Sequence, residues 1–195
     1  MGKVIVNAAV SLDGFVAADD DTVGPLFDWY GNGDVPATLG DPDRVFHVTQ
    51  ASAGYLRGES ERVRACVVGR RLFDITNGWG GVPPAGEHVF VVTHEPPTDW
   101  PFPDAPFTFV PEGVAAAIEK ARALGGDVSV TAGEIGGQAI AAGLVDEVHL
   151  NLVPALLGSG KPFFGSAGVG AHLLENPRII EGDRVVHLIY PVRKQ

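Results

Sequence analysis

Two short runs in this chain join an apolar, β-branched stretch to a glycine and then to residues that start a helix. They are Val67-Val68-Gly69-Arg70-Arg71-Leu72 and Val130-Thr131-Ala132-Gly133-Glu134-Ile135-Gly136-Gly137. The order strand, glycine, helix leaves backbone N–H groups unpaired at the positive end of a helix dipole, a setting that receives phosphate. Two such turns suit one dinucleotide. Arg70 and Arg71 add planar donors that can grip an extra phosphate bidentately, the feature that separates NADPH from NADH. Arg71 is the first candidate for that role and Arg70 the second. Thr93-His94, at the end of another apolar run, can bring a hydroxyl and an imidazole to the same phosphate. Ala132 and Gly133 are small enough to let a pyrophosphate approach the backbone.

Other chemistries fail on spacing. A Gly-x-Gly-x-x-Gly fingerprint is not met, because Ile135 and Gln138 stand where glycines are required. Gly158-Ser159-Gly160-Lys161 lacks the first glycine of a P-loop, which is Ala155 here, and Pro162 follows the lysine. Ser166 has Phe164 where a nucleophile elbow needs glycine. His47, His88, His94, His149, His172 and His187 are scattered with no pair at helical spacing, so no metal site is expected. Cys66 lies inside an apolar run and reads as a buried thiol; as the one cysteine it forms no disulfide within the chain. Asp13, beside Gly14 at the end of the first strand, is placed either to meet a substrate, where it or a water it holds is the candidate catalytic proton donor, or to cap a turn. Trp79 and Trp29 are candidate aromatic walls of a substrate pocket, or core residues.

The formal charge of −10 over 195 residues, with no basic cluster, argues against a nucleic-acid partner. A composition 45% hydrophobic and 19% charged is that of a folded chain with a large core, and the length suits one domain over 1–195. The chain enters a strand-like run at Lys3-Val4-Ile5-Val6 with no secretion signal before it, and no stretch reaches the roughly 20 apolar residues of a membrane span. Cytoplasmic residence is the expectation.

These residues need a frame. Val4 to Val10 is apolar on both faces, as in a central, covered strand, and Phe15 to Ala17 continues extended. The stretch 19–43, rich in Gly, Pro and Asp, reads as a flap over the site. Helices are predicted over 44–55, 71–76, 112–124 and 136–142, and strands over 64–69, 89–93, 107–110, 128–131 and 147–153. The segment 178–192 reads as a hairpin turning at Glu181-Gly182-Asp183. The alternation predicts a mostly parallel α/β sheet with an antiparallel C-terminal hairpin, ligands lying beyond the carboxyl ends of the strands.

The order of motifs resembles the dihydrofolate-reductase-like superfamily, in particular the reductase domain at the C-terminus of the bacterial bifunctional deaminase–reductase of riboflavin biosynthesis. The marks are Val10-Ser11-Leu12-Asp13-Gly14-Phe15-Val16-Ala17, Val68-Gly69-Arg70-Arg71, Thr131-Ala132-Gly133, Ala142-Gly143-Leu144-Val145-Asp146-Glu147-Val148 and Leu152-Val153-Pro154-Ala155-Leu156-Leu157-Gly158-Ser159-Gly160. The resemblance implies a three-layer α/β/α fold with about eight strands. It implies NADPH across the C-terminal sheet edge, and hydride delivery to a small heterocyclic or ribosylamino-pyrimidine-like substrate. By position, Gly69, Arg70, Arg71 and Leu72 would hold the adenosine phosphates, with Thr93 and His94 beside the 2′-phosphate. Ala132, Gly133, Glu134, Ile135 and Gly136 would line the pyrophosphate and nicotinamide, and Asn7, Asp13 and Gly14 would approach the reacting end. A homodimer is also implied. Two departures stand out: Thr131 occupies a position usually taken by Glu, and the predicted helix 44–55 carries no acid of the kind a dihydrofolate reductase sets on its pterin. A dihydrofolate reductase, or a non-catalytic nucleotide- or ligand-binding protein on the same fold, are the alternatives.

Overall fold

A computed structural model describes residues 2–166 and 168–193; Met1, Ala167, Lys194 and Gln195 lie outside the described residues. In chain order the strands are β1 (Val4–Ser11), β2 (Phe15–Ala17), β3 (Val35–Ala37), β4 (Phe46–Val48), β5 (Val63–Gly69) and β6 (His88–Val92). They continue with β7 (Phe107–Val110), β8 (Asp127–Thr131), β9 (Glu147–Val153), β10 (Lys161–Pro162), β11 (Arg178–Glu181) and β12 (Val186–Pro191). The α-helices are α1 (Gln50–Arg62), α2 (Arg70–Ile75), α3 (Val114–Arg122) and α4 (Glu134–Ala141), with 3₁₀ segments at Gly24–Gly31 and Asn77–Gly81.

Eight strands form one sheet in the order β11-β12-β9-β1-β8-β5-β6-β7. β9, β1, β8, β5, β6 and β7 pair in parallel, and β12 runs antiparallel between β9 and β11. The mostly parallel sheet with an antiparallel closing hairpin is the architecture expected from the alternation of patterns. Period-two geometry sends β1 side chains to both faces, and both are covered. Val4, Val6 and Val10 join Val114, Ala117, Ile118 and Ala121 of α3 and Ala139 and Ile140 of α4 in one core. On the opposite face Ala9 meets Ala53, Tyr55 and Leu56 of α1 with Leu26 and Trp29, while Phe73 of α2 packs on Cys66, Val68, Val89 and Val91.

Two expectations are corrected and one contact is new. The predicted helix 44–55 is displaced: Phe46–Val48 is a strand, and the helix starts after Thr49, whose hydroxyl accepts from the Ser52 amide, and runs to Arg62. A helix start judged from Asp41-Pro42 overlooked the stronger cap at Thr49. The longer helix therefore contains Glu59 and Glu61. Second, the stretch 19–43 is not all flap. Leu26 and Trp29 are fully buried, and β3 pairs with β4, so the segment 24–37 is anchored to the core and not free over the site. The new contact is the pairing of β10 with β2, which has no counterpart in the sequence reading. No helix among the described residues is long and apolar enough to cross a membrane.

Candidate active site

The carboxyl ends of β5, β6, β8 and β1 converge on one edge of the sheet, bringing both glycine turns together. Gly69 caps α2 and Gly133 caps α4, neither with a side-chain hydrogen bond to the first turn. The turns touch: a Cβ built on Gly69 would stand 3.0 Å from Ile135 Cγ1. A Cβ on Gly136 would meet Val6 Cγ1 at 2.9 Å and the Thr131 carbonyl oxygen at 3.0 Å, so glycine there lets α4 lie close on the sheet. Gly136→Val is expected to push α4 outward, cost about 1–3 kcal/mol of stability in denaturant unfolding, and lower affinity for any ligand of this edge.

The arginines divide their work. Arg70 donates through Nε to Asp74 Oδ1 at 2.8 Å, while its Nη1 reaches the Glu95 carbonyl and lies 3.5 Å from Thr93 Oγ1. It therefore bridges the ends of β5 and β6, beside the hydroxyl expected at an additional phosphate. Arg71 turns away and grips Asp21 with both Nε and Nη2. Arg70, not Arg71, is thus the arginine placed with Thr93, a correction of the order expected from sequence. Leu72 is half-buried, and His94 is exposed with no hydrogen-bond partner among the described residues.

At the second turn, Ala132 packs against the core and the Gly133 amide donates to the Phe163 carbonyl at 2.6 Å. The Glu134 carboxylate accepts from the Ser166 amide (2.7 Å) and hydroxyl (2.8 Å). This narrows the expected pyrophosphate lining, since the Gly133 N–H is already used and the Glu134 side chain serves the 163–166 loop. Ile135 and Gly136 keep first-turn amides with no partner among the described residues, so they and the Gly69 turn are the groups that fit a pyrophosphate.

Asp13 is a clamp, not an acid. Its carboxylate accepts from Ser11 Oγ (2.5 Å), the Leu157 amide (3.2 Å) and the Gly158 amide (2.7 Å). These bonds, the Ser11 hydroxyl foremost, hold its carboxyl below the usual carboxylate range. It is ionised at neutral pH, which corrects the expectation that it donates a proton itself. Gly14, at φ 88°, makes the turn, and its carbonyl accepts from the Phe163 amide at 2.9 Å. Asn7 is half-buried between Thr131 and His149 on the neighbouring strands, its Nδ2 donating to Ser129 Oγ at 3.1 Å. Trp79, expected as a pocket wall, packs against the cluster of Cys66, Val68 and Phe73. It does so from a left-handed turn in which its own φ is 50°.

The acids of α1 do not rescue a pterin site. Buried Glu59 accepts from Arg62 Nη2 at 2.7 Å, and Arg62 Nε donates to Asp127 Oδ2 at 3.2 Å. Asp127 in turn accepts from the Lys3 amide at 2.8 Å. Lys3 and Asp127 stand at the amino ends of β1 and β8, the opposite edge from both glycine turns. Sequence reasoning missed Asp21, Phe163, Gly165 and Ser166 as walls of this site. The signal available was the Gly158-Ser159-Gly160 run: a Cβ on Gly160 would lie 2.1 Å from the Ala17 carbonyl oxygen, so the glycine lets this loop press on β2.

No protein-family model matches the chain, and no curated protein matches it by sequence. Solved structures do resemble it. A putative riboflavin biosynthesis protein from Shewanella sp. PV-4 superposes with TM-score 0.70 at 20% identity, over 98% of this chain and 99% of that one. A pyrimidine reductase-like protein from Corynebacterium diphtheriae gives 0.61 at 16%, over 100% and 93%. Dihydrofolate reductase from Enterococcus faecalis, complexed with NADP(H), gives 0.58 at 14%, over 100% and 98%. At these identities the likeness establishes the fold: a mostly parallel α/β sheet of the dihydrofolate-reductase type, shared with riboflavin-biosynthesis reductase-like proteins.

Proposed function

We propose that the protein is an NADPH-dependent reductase that delivers hydride to a small heterocyclic or ribosylamino-pyrimidine-like substrate. The observation that carries this reading is the contact of the two glycine-led turns at Gly69 and Ile135, with Arg70 reaching from the first of them to Thr93. When bound, NADPH supplies the hydride. The chain supplies the hold: Arg70 and Thr93 on the 2′-phosphate, the Ile135 and Gly136 amides with the Gly69 turn on the pyrophosphate. Asn7, Ser129 and Thr131 offer neutral polar groups near the reacting end, where an amide or hydroxyl substrate is better matched than a cation. With Asp13 ionised, a proton needed by the product has to come from water. The reductase-like and NADP(H)-bound structural neighbours support the same reading.

Titration of the wild type with NADPH and NADH tests it, with NADPH expected to bind more tightly. A charge-assisted hydrogen bond contributes about 1.5–3 kcal/mol, so Arg70→Ala should weaken NADPH roughly 10- to 100-fold and leave NADH nearly unchanged. Equal loss for both cofactors would remove Arg70 from the 2′-phosphate. A second reading, a ligand-binding protein without turnover, draws on the lack of a neutral acid at Asp13. NADPH-induced thermal stabilisation with no NADPH oxidation against pyrimidine and pterin substrates would favour it.

A further inference from the structure

The loop 11–22 is fastened across the same sheet edge by three carboxylates on three different partners. Asp13 takes the Leu157 and Gly158 amides, Asp19 Oδ2 accepts from Ser159 Oγ at 2.7 Å, and Asp21 holds Arg71 through both Nε and Nη2. At Gly14 the loop is bonded to Phe163, which is bonded in turn to Gly133 at the start of α4. It is thereby tied to the start of α4 through Phe163 and to the start of α2 through Arg71. Of the three contacts only Asp21 presents a bare anion to a bare cation. The Arg71 guanidinium holds the Asp21 carboxyl below the usual carboxylate range. A carboxylate in bidentate contact with a guanidinium has the geometry that a phosphate oxygen pair adopts on arginine. Asp21 sits at φ 69°, in the left-handed region, in a turn closed by its own amide donating to the Ala18 carbonyl.

We propose that Asp21 is an internal stand-in for a ligand phosphate on Arg71, so that a phosphorylated ligand must displace the Asp21 carboxylate, and with it the end of the 11–22 loop, to bind fully. The proposal rests on the cofactor reading for the identity of that ligand, but its chemistry applies to any phosphate reaching this edge. Arg70 then selects the cofactor, and Arg71 couples its arrival to the loop.

The test is Asp21→Asn, which removes the charge and keeps a residue that tolerates a left-handed backbone. Asp19→Asn removes the same charge from the same loop without freeing Arg71. With NADPH and, separately, inorganic pyrophosphate as probes in calorimetric titration, Asp21→Asn is expected to bind each roughly three- to tenfold more tightly than wild type. Asp19→Asn should stay within about twofold of wild type, and the gain should vanish when Arg71→Ala is added to Asp21→Asn. Unchanged or weaker binding of both probes by Asp21→Asn, or an equal gain from Asp19→Asn, overturns the proposal. Failure of the cofactor reading looks different: no variant binds NADPH, while Asp21→Asn still tightens pyrophosphate.

Discussion

Trp29→Ala should lower the unfolding free energy by about 3–5 kcal/mol, the range for truncating a large buried aromatic ring. Trp29 has 0% exposure. Its ring stacks on Tyr30 with centroids 3.9 Å apart and stands edge-on to His187 at 5.2 Å. Leu26, Val48, Ala9, Val153 and the α1 residues Ala53, Tyr55 and Leu56 share this cluster, so the residue ties the 24–31 segment to α1, β1 and β9 together. Its Nε1 has no hydrogen-bond partner among the described residues, and truncation therefore forfeits packing without breaking a bond. Trp29→Phe, which keeps most of the ring and removes the unpaired N–H, should retain most of the stability. The check is a urea titration in which the midpoint falls and the slope holds. A Trp29→Ala protein with the wild-type midpoint would return residues 24–31 to the status of a surface flap.

That segment also shows where the sequence stops being readable. Periodicity reports burial well where a regular element supplies the period, as in α3, whose buried residues Val114, Ala117, Ile118 and Ala121 follow a helical spacing; in β9 it does not, because His149 and Asn151 are buried while Leu150 and Leu152 are half-buried. Gly24 to Gly31 has no such period. Its burial depends on β9, β12 and α1, which arrive far later in the chain, and a Gly-, Pro- and Asp-rich composition looks the same in a flap as in an irregular core segment.

The site divides in the same way. Gly69 and Gly133 were legible because a strand ending in glycine ahead of a helix is a local pattern. The choice between Arg70 and Arg71 was not, because it turns on which side of a six-residue helix each guanidinium leaves and on what waits there, Glu95 and Thr93 for one, Asp21 for the other. Asp13 was legible as a residue that matters and illegible as to why, since its partners Leu157 and Gly158 are more than 140 positions away. Long-range amides leave no trace in local composition. They nonetheless decide whether a carboxyl is an acid or an anion.

Between pH 6.5 and about 4 the protein should lose about 3 kcal/mol of stability through His187 alone. The ring is fully buried at the junction of α1, β9 and β12, stacked on Tyr55 with centroids 4.2 Å apart. Asn151 Oδ1 lies 2.7 Å from Nδ1, and Ser52 Oγ lies 3.0 Å from Nε2. With Asn151 accepting, the neutral ring carries its proton on Nδ1 and receives the Ser52 hydroxyl at Nε2. Both nitrogens are satisfied without charge, no carboxylate is among these partners, and burial pushes the imidazole down from 6.5 to about 4. Above pH 6.5 the residue is neutral folded or unfolded and makes no pH-dependent contribution. As pH falls below 6.5 the unfolded chain takes a proton that the folded chain refuses, and stability declines until the folded ring itself titrates near 4. His88, also lowered by burial, adds in the same direction as pH falls below 6.5. Glu147, Asp13 and Asp21, whose pKa values are lowered from ordinary carboxylate values of 3.8 to 4.5, release their share only at lower pH. Urea unfolding at intervals from pH 7 to 4.5 should therefore isolate the histidines. His187→Gln, which offers an amide to Ser52 and Asn151 and cannot titrate, should flatten most of the slope and leave the part owed to His88. An equally steep decline in His187→Gln would place the acid sensitivity of this fold elsewhere.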